Sequence, residues 1–456
     1  MEGTIAGELF TLPAGPIGAA IGFQVREEEL DDTPGQQSIL GNRWGQTAAG
    51  RTAGTDSIKE VFGEFEIPLL RDVFAAESLT LQVSGRYSDY ESYGESDTYK
   101  VGLNWQITPA YRIRATKGTS FRAPALYEQF LGNQTGFLAQ GSVDACIQYE
   151  DNSNQNLIAN CSGLGIPLDF TGSGSSATVI TGGGRGVLVA ETAESETLGV
   201  IWTPSFADIN IAIDYFDITV DDEVRQFGAF NIVNQCYAAD NFPDSPFCSL
   251  FVRDPATFQI TTINNSYVNV ASQSNRGIDL NVRYGKEFGF GEFTVDGQFT
   301  WQLEDVTELI GGADIEDFLG TTYGVRGPDF TGAVQVRFDR GDFTAFYSTQ
   351  IIGKGSDTEY FEGDTFTSAR YANLPAGIAS QLVYYKQFTE TQFIHNLSAR
   401  YVMNDWTVSA GVRNVFDERS PSQSAGQFRQ GTAAIGYPTY DLLLGRQGFM
   451  SLSKSF

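Results

Sequence analysis

Hydrophobic and polar residues trade places one for one along stretch after stretch of this chain. Leu79, Leu81, Val83 and Tyr87 alternate with Thr80, Gln82, Ser84, Arg86 and Ser88. Tyr99, Val101, Leu103, Trp105 and Ile107 alternate with Lys100, Gly102, Asn104 and Gln106. The same phase recurs over Ile278–Tyr284, Phe293–Leu303 and Trp406–Val412. A period of two puts one greasy and one wet face on a strand. About fourteen such segments are counted, and in the five strands named here the charges keep to the polar parity. Arg or Lys on a lipid-facing position near mid-membrane costs about 2–4 kcal/mol, so this segregation is what a transmembrane barrel requires. The pattern predicts an all-β fold, an antiparallel barrel with lipid outside and a polar lumen inside.

The connections fall into two classes. Short turns are predicted at 108–110, 204–206, 286–291, 339–341 and 404–405, with a longer one at 68–77 that contains Pro68. Between them lie Gly- and Asp-rich loops near 31–56, 122–190, 221–262, 305–327, 353–390 and 418–445, with 91–96 as the short exception. Short turns at one end and long loops at the other match the periplasmic and extracellular ends of an outer-membrane barrel. Tyr111, Trp202, Phe206, Trp406 and Phe456 sit near strand ends, where an interfacial girdle places aromatics. The competing reading is a soluble β-sandwich or solenoid. Sandwiches, however, keep their loops short on both sides.

Composition narrows the field. No apolar run approaches the roughly 18 residues of a transmembrane helix, so any membrane span must be β. The formal net charge of −27 disfavours nucleic acid as a partner. No basic and apolar leader follows Met1, which leaves a removed signal or a C-terminal piece of a longer protein as the expectation for an exported chain. The four cysteines form two close pairs, Cys146/Cys161 and Cys236/Cys248, both in long loops. Two loop-local disulfides in an oxidising compartment are the natural reading, with free thiols or a metal site as alternatives. A lone histidine, His395, and the lack of a C-x-x-C pair argue against zinc. No metal and no cofactor are expected.

No catalytic constellation stands out. His395 shares the parity of Phe393 and Leu397 and reads as a residue of the upper barrel rim. Gly182-Gly183-Gly184-Arg185-Gly186 lacks the Lys and Ser/Thr of a phosphate loop. The polar parity places Arg86, Arg112, Arg114, Asp214, Asp279, Arg283, Asp296, Arg337, Arg400 and Arg413 in the lumen. There they set ion selectivity in an open pore, face a plug in a filled one, or pair with one another. Ligand contacts are expected from the loops, at Asp314, Asp317, Phe318 and Tyr323 and at Tyr360, Phe361, Phe366 and Tyr371. Aromatics mixed with carboxylates suit a neutral or saccharide-like ligand better than an anionic chelate.

Four segments carry a family likeness. Ser120-Phe121-Arg122-Ala123-Pro124, followed by Leu126, Glu128 and Phe130, resembles the "GFRAP…L.E.F" segment of TonB-dependent outer-membrane receptors. Ser274-Asn275-Arg276-Gly277-Ile278-Asp279-Leu280 is similar to a strand motif that follows their long central loop. Gly411-Val412-Arg413-Asn414-Val415-Phe416-Asp417 resembles their "G..N.FD" motif, and Phe456 their terminal aromatic, an assembly signal for the barrel-assembly machinery. Lys454 departs from the aromatic or apolar residue common two positions before that end. The resemblance implies an integral protein of the bacterial outer membrane, embedded in its lipid. It implies uptake of a scarce small ligand (a siderophore complex, cobalamin or an oligosaccharide) driven by the TonB energy-coupling complex through a plug. No plug-like region precedes the strands, so residues 1–456 are expected to be one barrel domain, the C-terminal part of a larger receptor. The rivals are a self-contained passive channel, for which an even strand count permits closure, and a secreted acidic calcium-binding adhesin.

Overall fold

The computed structural model describes residues 1–44, 47–172, 174–309, 315–321, 327–356, 365–367, 382–384, 388–419, 421 and 444–455. Fifteen strands form one antiparallel meander, each hydrogen-bonded to the next. They are β1 (Glu2–Leu12), β2 (Gly15–Asp32), β3 (Thr52–Val73), β4 (Ala76–Tyr90), β5 (Gly94–Thr108), β6 (Tyr111–Arg122), β7 (Glu191–Trp202) and β8 (Asp208–Gln226). The series continues with β9 (Tyr267–Phe288), β10 (Gly291–Leu309), β11 (Phe330–Arg340), β12 (Phe343–Ile352), β13 (Gln392–Met403), β14 (Trp406–Arg413) and β15 (Gln447–Lys454). At one end the connections are tight, such as Phe74-Ala75, Pro109-Ala110, Gly289-Phe290 and Asn404-Asp405. Ala75 and Asn404 turn these corners with φ of 59° and 51°. At the other end the connections are long, apart from 91–93 between β4 and β5.

The described wall holds fifteen strands, in keeping with the expected count of about fourteen, and the first two are joined through Pro13-Ala14. Two sequence expectations are corrected. Residues 68–77 are not a loop: β3 runs on to Val73, and Pro68 sits at a register irregularity, where a missing N–H is tolerated. Residues 221–226 and 305–309, expected in loops, belong to β8 and β10.

The alternating pattern maps onto two faces. Cross-strand partners share a face, so the registers connect Leu81, Leu103, Ala115 and Leu198 on the apolar side. Near the tight turns this side carries aromatics: Tyr111 stacks on Trp202 at 6.5 Å and Trp202 meets Phe206 at 6.2 Å. The Lys454 ammonium lies 5.3 Å over the Trp406 ring, reaching toward the strand end. Toward the long connections the apolar side turns charged. Lys117 stands opposite Glu196, Glu196 opposite Asp217, Asp217 opposite Arg276 and Arg276 opposite Glu304. Lys117 Nζ is 2.7 Å from Glu196, and Arg276 is 2.5 Å from Glu304. Only Trp202, Val200 and Leu198 separate that row from the turn end of β7.

The main hydrophobic cluster lies mostly in the connections 123–190 and 227–266, which pack together as a cap, and Val270 of β9 joins it from the wall. Val143, Leu157, Ile166, Ile232, Val233, Tyr237, Ile260 and Ile263 are among its buried members. A four-stranded sheet runs in the order Phe251–Arg253, Ile260–Asn264, Ser176–Thr181 and Gln134–Ala139. Helices Gln155–Gly163 and Ala229–Ala238 accompany it, and the first is capped by the Asn154 side chain, which accepts from Asn156 N and Leu157 N. The disulfides Cys146–Cys161 and Cys236–Cys248 each tie a helix to neighbouring chain. Inside, Asp144 accepts from Arg253 Nη1 and Nη2 at 2.8 and 2.6 Å, and Arg253 Nε donates to Tyr237 Oη at 2.8 Å. Burial works against the Arg253 cation, but the Asp144 carboxylate outweighs it and holds the Arg253 pKa above its ordinary value. Burial pushes the Tyr237 hydroxyl up as well.

Candidate functional site

On the polar face, where β2 to β6 reach the long-connection end, a cavity of about 470 Å³ opens. Its lining joins Arg26, Arg86 and Arg122 with Glu28, Asp56 and Glu60, beside the rings of Tyr90 and Phe121. Strand alternation supplies the geometry, since Glu60 stands opposite Ser88 and Phe62 opposite Arg86. Ser88 Oγ donates to Glu60 Oε1 at 2.6 Å, and Arg86 Nη1 to Glu60 Oε2 at 3.3 Å. Ser92 donates to Asp56 from its amide at 3.1 Å and from its hydroxyl at 2.6 Å. Arg26 Nη2 donates to Tyr90 Oη at 3.0 Å and Nε lies 3.2 Å from Glu28. Tyr90 packs on Tyr93 at 4.7 Å and edge-on to Phe121 at 6.0 Å. Burial pushes the Tyr93 hydroxyl, in the 91–93 turn, above the usual phenol range.

Asp56 and Glu60 are each 4% exposed, whereas the guanidinium side chains of Arg86 and Arg122 are nearly half exposed. The carboxylates therefore stand behind and the cations in front. Three arginines against three carboxylates leave the lining close to neutral. The size is that of a small-ligand site, and the mixture of donors, acceptors and two aromatic rings suits a polar ligand without net charge.

The sequence-named residues scatter over the structure. The ten charged wall positions share the polar face but form separate local pairs. Arg114 grips Asp214 with Nε at 2.8 Å and Nη2 at 2.6 Å, reaching across Gly199 of β7. A Cβ on Gly199 would stand 1.9 Å from Asp214 Oδ1, so a side chain there would displace the pair from this geometry. Arg283 lies 3.6 Å from Asp296, and Arg337 pairs with Asp339 at 2.7 Å. Asp279 accepts the Thr300 hydroxyl, Arg112 donates to Gln106, Arg413 lies over Phe449, and Arg400 stands opposite Thr344 and Ser409. Of the ten, only Arg86 lines the cavity.

In the loops, Asp317 caps the Leu319 amide at 2.9 Å, and Phe318 is buried, its N–H donating to Asp305 O at 2.8 Å. Phe366 belongs to a short strand, Thr365–Thr367, paired with Leu382–Tyr384. Asp314, Tyr323, Tyr360, Phe361, Tyr371 and Phe456 lie outside the described residues. His395 Nδ1 is 2.7 Å from Tyr347 Oη and edge-on to Phe416, within an aromatic cluster on the apolar face. Gly182–Gly186 straps the helix Leu126–Phe130: Gly183 N donates to Leu131 O and Gly184 N to Glu128 O. Sequence reasoning missed Arg26, Asp56, Glu60, Tyr90 and Arg122 as a group. Their polar parity was readable, but their convergence depends on register.

An antiparallel wall with a polar and an apolar face, aromatic rims, tight turns at one end and a folded cap at the other defines a transmembrane β-barrel of the outer-membrane kind. The chain belongs to the family described as TonB dependent receptor-like, beta-barrel, whose model matches residues 6–415. It is an integral outer-membrane protein of a transporter family and not an enzyme. Its fold is similar to that of the siderophore receptor PirA from Acinetobacter baumannii (13% identity, TM-score 0.58), covering 100% of this chain and 54% of that one. It is likewise similar to the ferric enterobactin receptor PfeA in complex with BCV-L6 (15% identity, TM-score 0.60), again covering 100% of this chain and 54% of that one. In sequence, a stretch of 50 residues is 36% identical to the vitamin B12 transporter BtuB of Vibrio cholerae serotype O1, which is 11% of this chain and 8% of that protein. The chain thus spans about half the length of the solved receptors it matches.

Proposed function

We propose that this chain is the barrel wall of a receptor that takes up a scarce small ligand across the outer membrane with TonB-derived energy. The polar face is the lumen, and the ligand is captured at the long-connection mouth, in the cavity framed by Arg26, Arg86, Tyr90, Phe121 and Arg122. The observation that carries the reading is the position of this cavity, on the polar face of a wall whose family match extends over residues 6–415. The balanced lining favours a neutral, hydroxyl-rich ligand over an anionic chelate.

Titration of the purified protein with cyanocobalamin, maltohexaose and ferric enterobactin, each followed by calorimetry, tests the reading. A neutral probe is expected to bind, and Arg86→Gln to weaken it about 10-fold, the loss of one charge-assisted hydrogen bond. Tight binding of ferric enterobactin alone, or binding untouched by Arg86→Gln and Tyr90→Ala, would contradict it. A self-contained channel is a poorer reading. Fifteen antiparallel strands set β1 and β15 in the same direction, and no pairing joins them among the described residues.

A further inference from the structure

Arg122 ends β6 and holds two carboxylates at once. Its Nε donates to Glu191 Oε2 at 2.7 Å, and Nη2 also bonds Glu191 Oε1. On its other edge Nη1 and Nη2 donate to Glu128 at 3.0 and 3.1 Å. Glu191 opens β7 and is 7% exposed, and its Oε1 also accepts the Val224 amide of β8 at 2.7 Å. Glu128 in turn accepts the Ala125 amide at 2.7 Å, in the helix that Gly183 and Gly184 strap from behind. One side of the cap leaves the wall at Arg122 and returns at Glu191, and the other leaves just past Val224. Two roots of the cap therefore meet at the Arg122 guanidinium and a third is tied to it through the Glu191 carboxylate, and that guanidinium also lines the cavity.

We propose that Arg122 is a positioning residue that fixes the cap over the lumen mouth and its cavity. Two bidentate grips on carboxylates from different elements define an orientation, which a single contact to a lysine ammonium does not. The cap's own core and disulfides hold its interior, so loss of the clamp frees its placement rather than its fold. Only the functional consequence rests on the cavity being the capture site.

Nitroxide labels at Leu168→Cys on the cap and Asp97→Cys on β5 report the placement by pulsed electron–electron distance measurement without ligand. Arg122→Ala is expected to broaden the distance distribution at least two-fold, and Arg122→Lys to fall between it and the parent. Adding Glu191→Ala to Arg122→Ala should broaden it no further, because the two residues act as one unit. Non-reducing peptide mapping should still recover both disulfides. An unchanged width in Arg122→Ala overturns the proposal, as does full additivity with Glu191→Ala. If Arg122→Ala loses its disulfides, Arg122→Lys and Glu128→Gln decide: broadening with disulfides intact supports the clamp, and parental widths refute it. Because no ligand is present, these outcomes are independent of whether a neutral probe binds.

Discussion

At Gly199 an added methyl group would meet the side chains of an ion pair rather than open space. Arg114 on β6 and Asp214 on β8 meet across β7 in front of this residue. Gly199→Ala drives a methyl group into the Asp214 carboxylate and should cost about 1–3 kcal/mol, read as a lower denaturant midpoint. Asp214→Asn with Gly199→Ala should cost less than the sum of the two changes, since both act on one pair. In the cap, Asp144 is fully buried with Arg253. Asp144→Ala leaves that guanidinium without its counter-charge and should destabilise the cap by about 3–5 kcal/mol, read by near-ultraviolet circular dichroism during unfolding. These residues show the limit of reading side chains from a pattern. Parity put Arg114 and Asp214 on the polar face, but a pair that skips a strand needs register, and register needs the fold. Asp144 and Arg253 lie 109 residues apart in chain segments without alternation, so no sequence period brought them together.

The strands of the wall were legible because a two-faced strand must alternate, and membrane-facing charge is too costly to blur the pattern. Errors fell where alternation is interrupted. Pro68 suggested a turn where β3 in fact runs on for five more residues to Val73. The cap was the larger miss. Its apolar residues, Val143, Leu157, Ile166, Ile232 and Val233, are scattered among Asn, Gly and Ser in connections that read as polar loops. Short helices and strands of three to six residues give too few periods to register. The cysteine spacing was the one durable clue, and the pairs form as the spacing suggested. Closing a 15-residue loop contributes about 3 kcal/mol in the chain-entropy model. Cys146→Ser with Cys161→Ser should therefore lower the cap's unfolding free energy by roughly that amount. The wall should hold, because β6 to β9 pair along their full lengths without the cap. Urea titration followed at cap and wall probes separately checks this, and a joint collapse would show that the two are not distinct units.

Over the whole molecule, one face of a fifteen-stranded wall meets lipid and the other encloses polar groups, so little apolar core remains to be buried in the wall itself. The tight turns and the cap then lie on opposite sides of the membrane, and capture at the cavity requires the cap side to be outward. The aromatic girdle at Tyr111, Trp202 and Phe206 and the charged row from Lys117 to Glu304 bracket the lipid between them. Protease-site insertion in intact cells asks directly which side is which. A site placed at Gly165 in the cap should be cut by protease added outside, and one placed at Asn404-Asp405 should be protected until the cells are opened. Cleavage at Asn404-Asp405 with protection at Gly165, or equal cleavage of both in intact cells, would contradict a wall that spans the outer membrane with its capture mouth facing out.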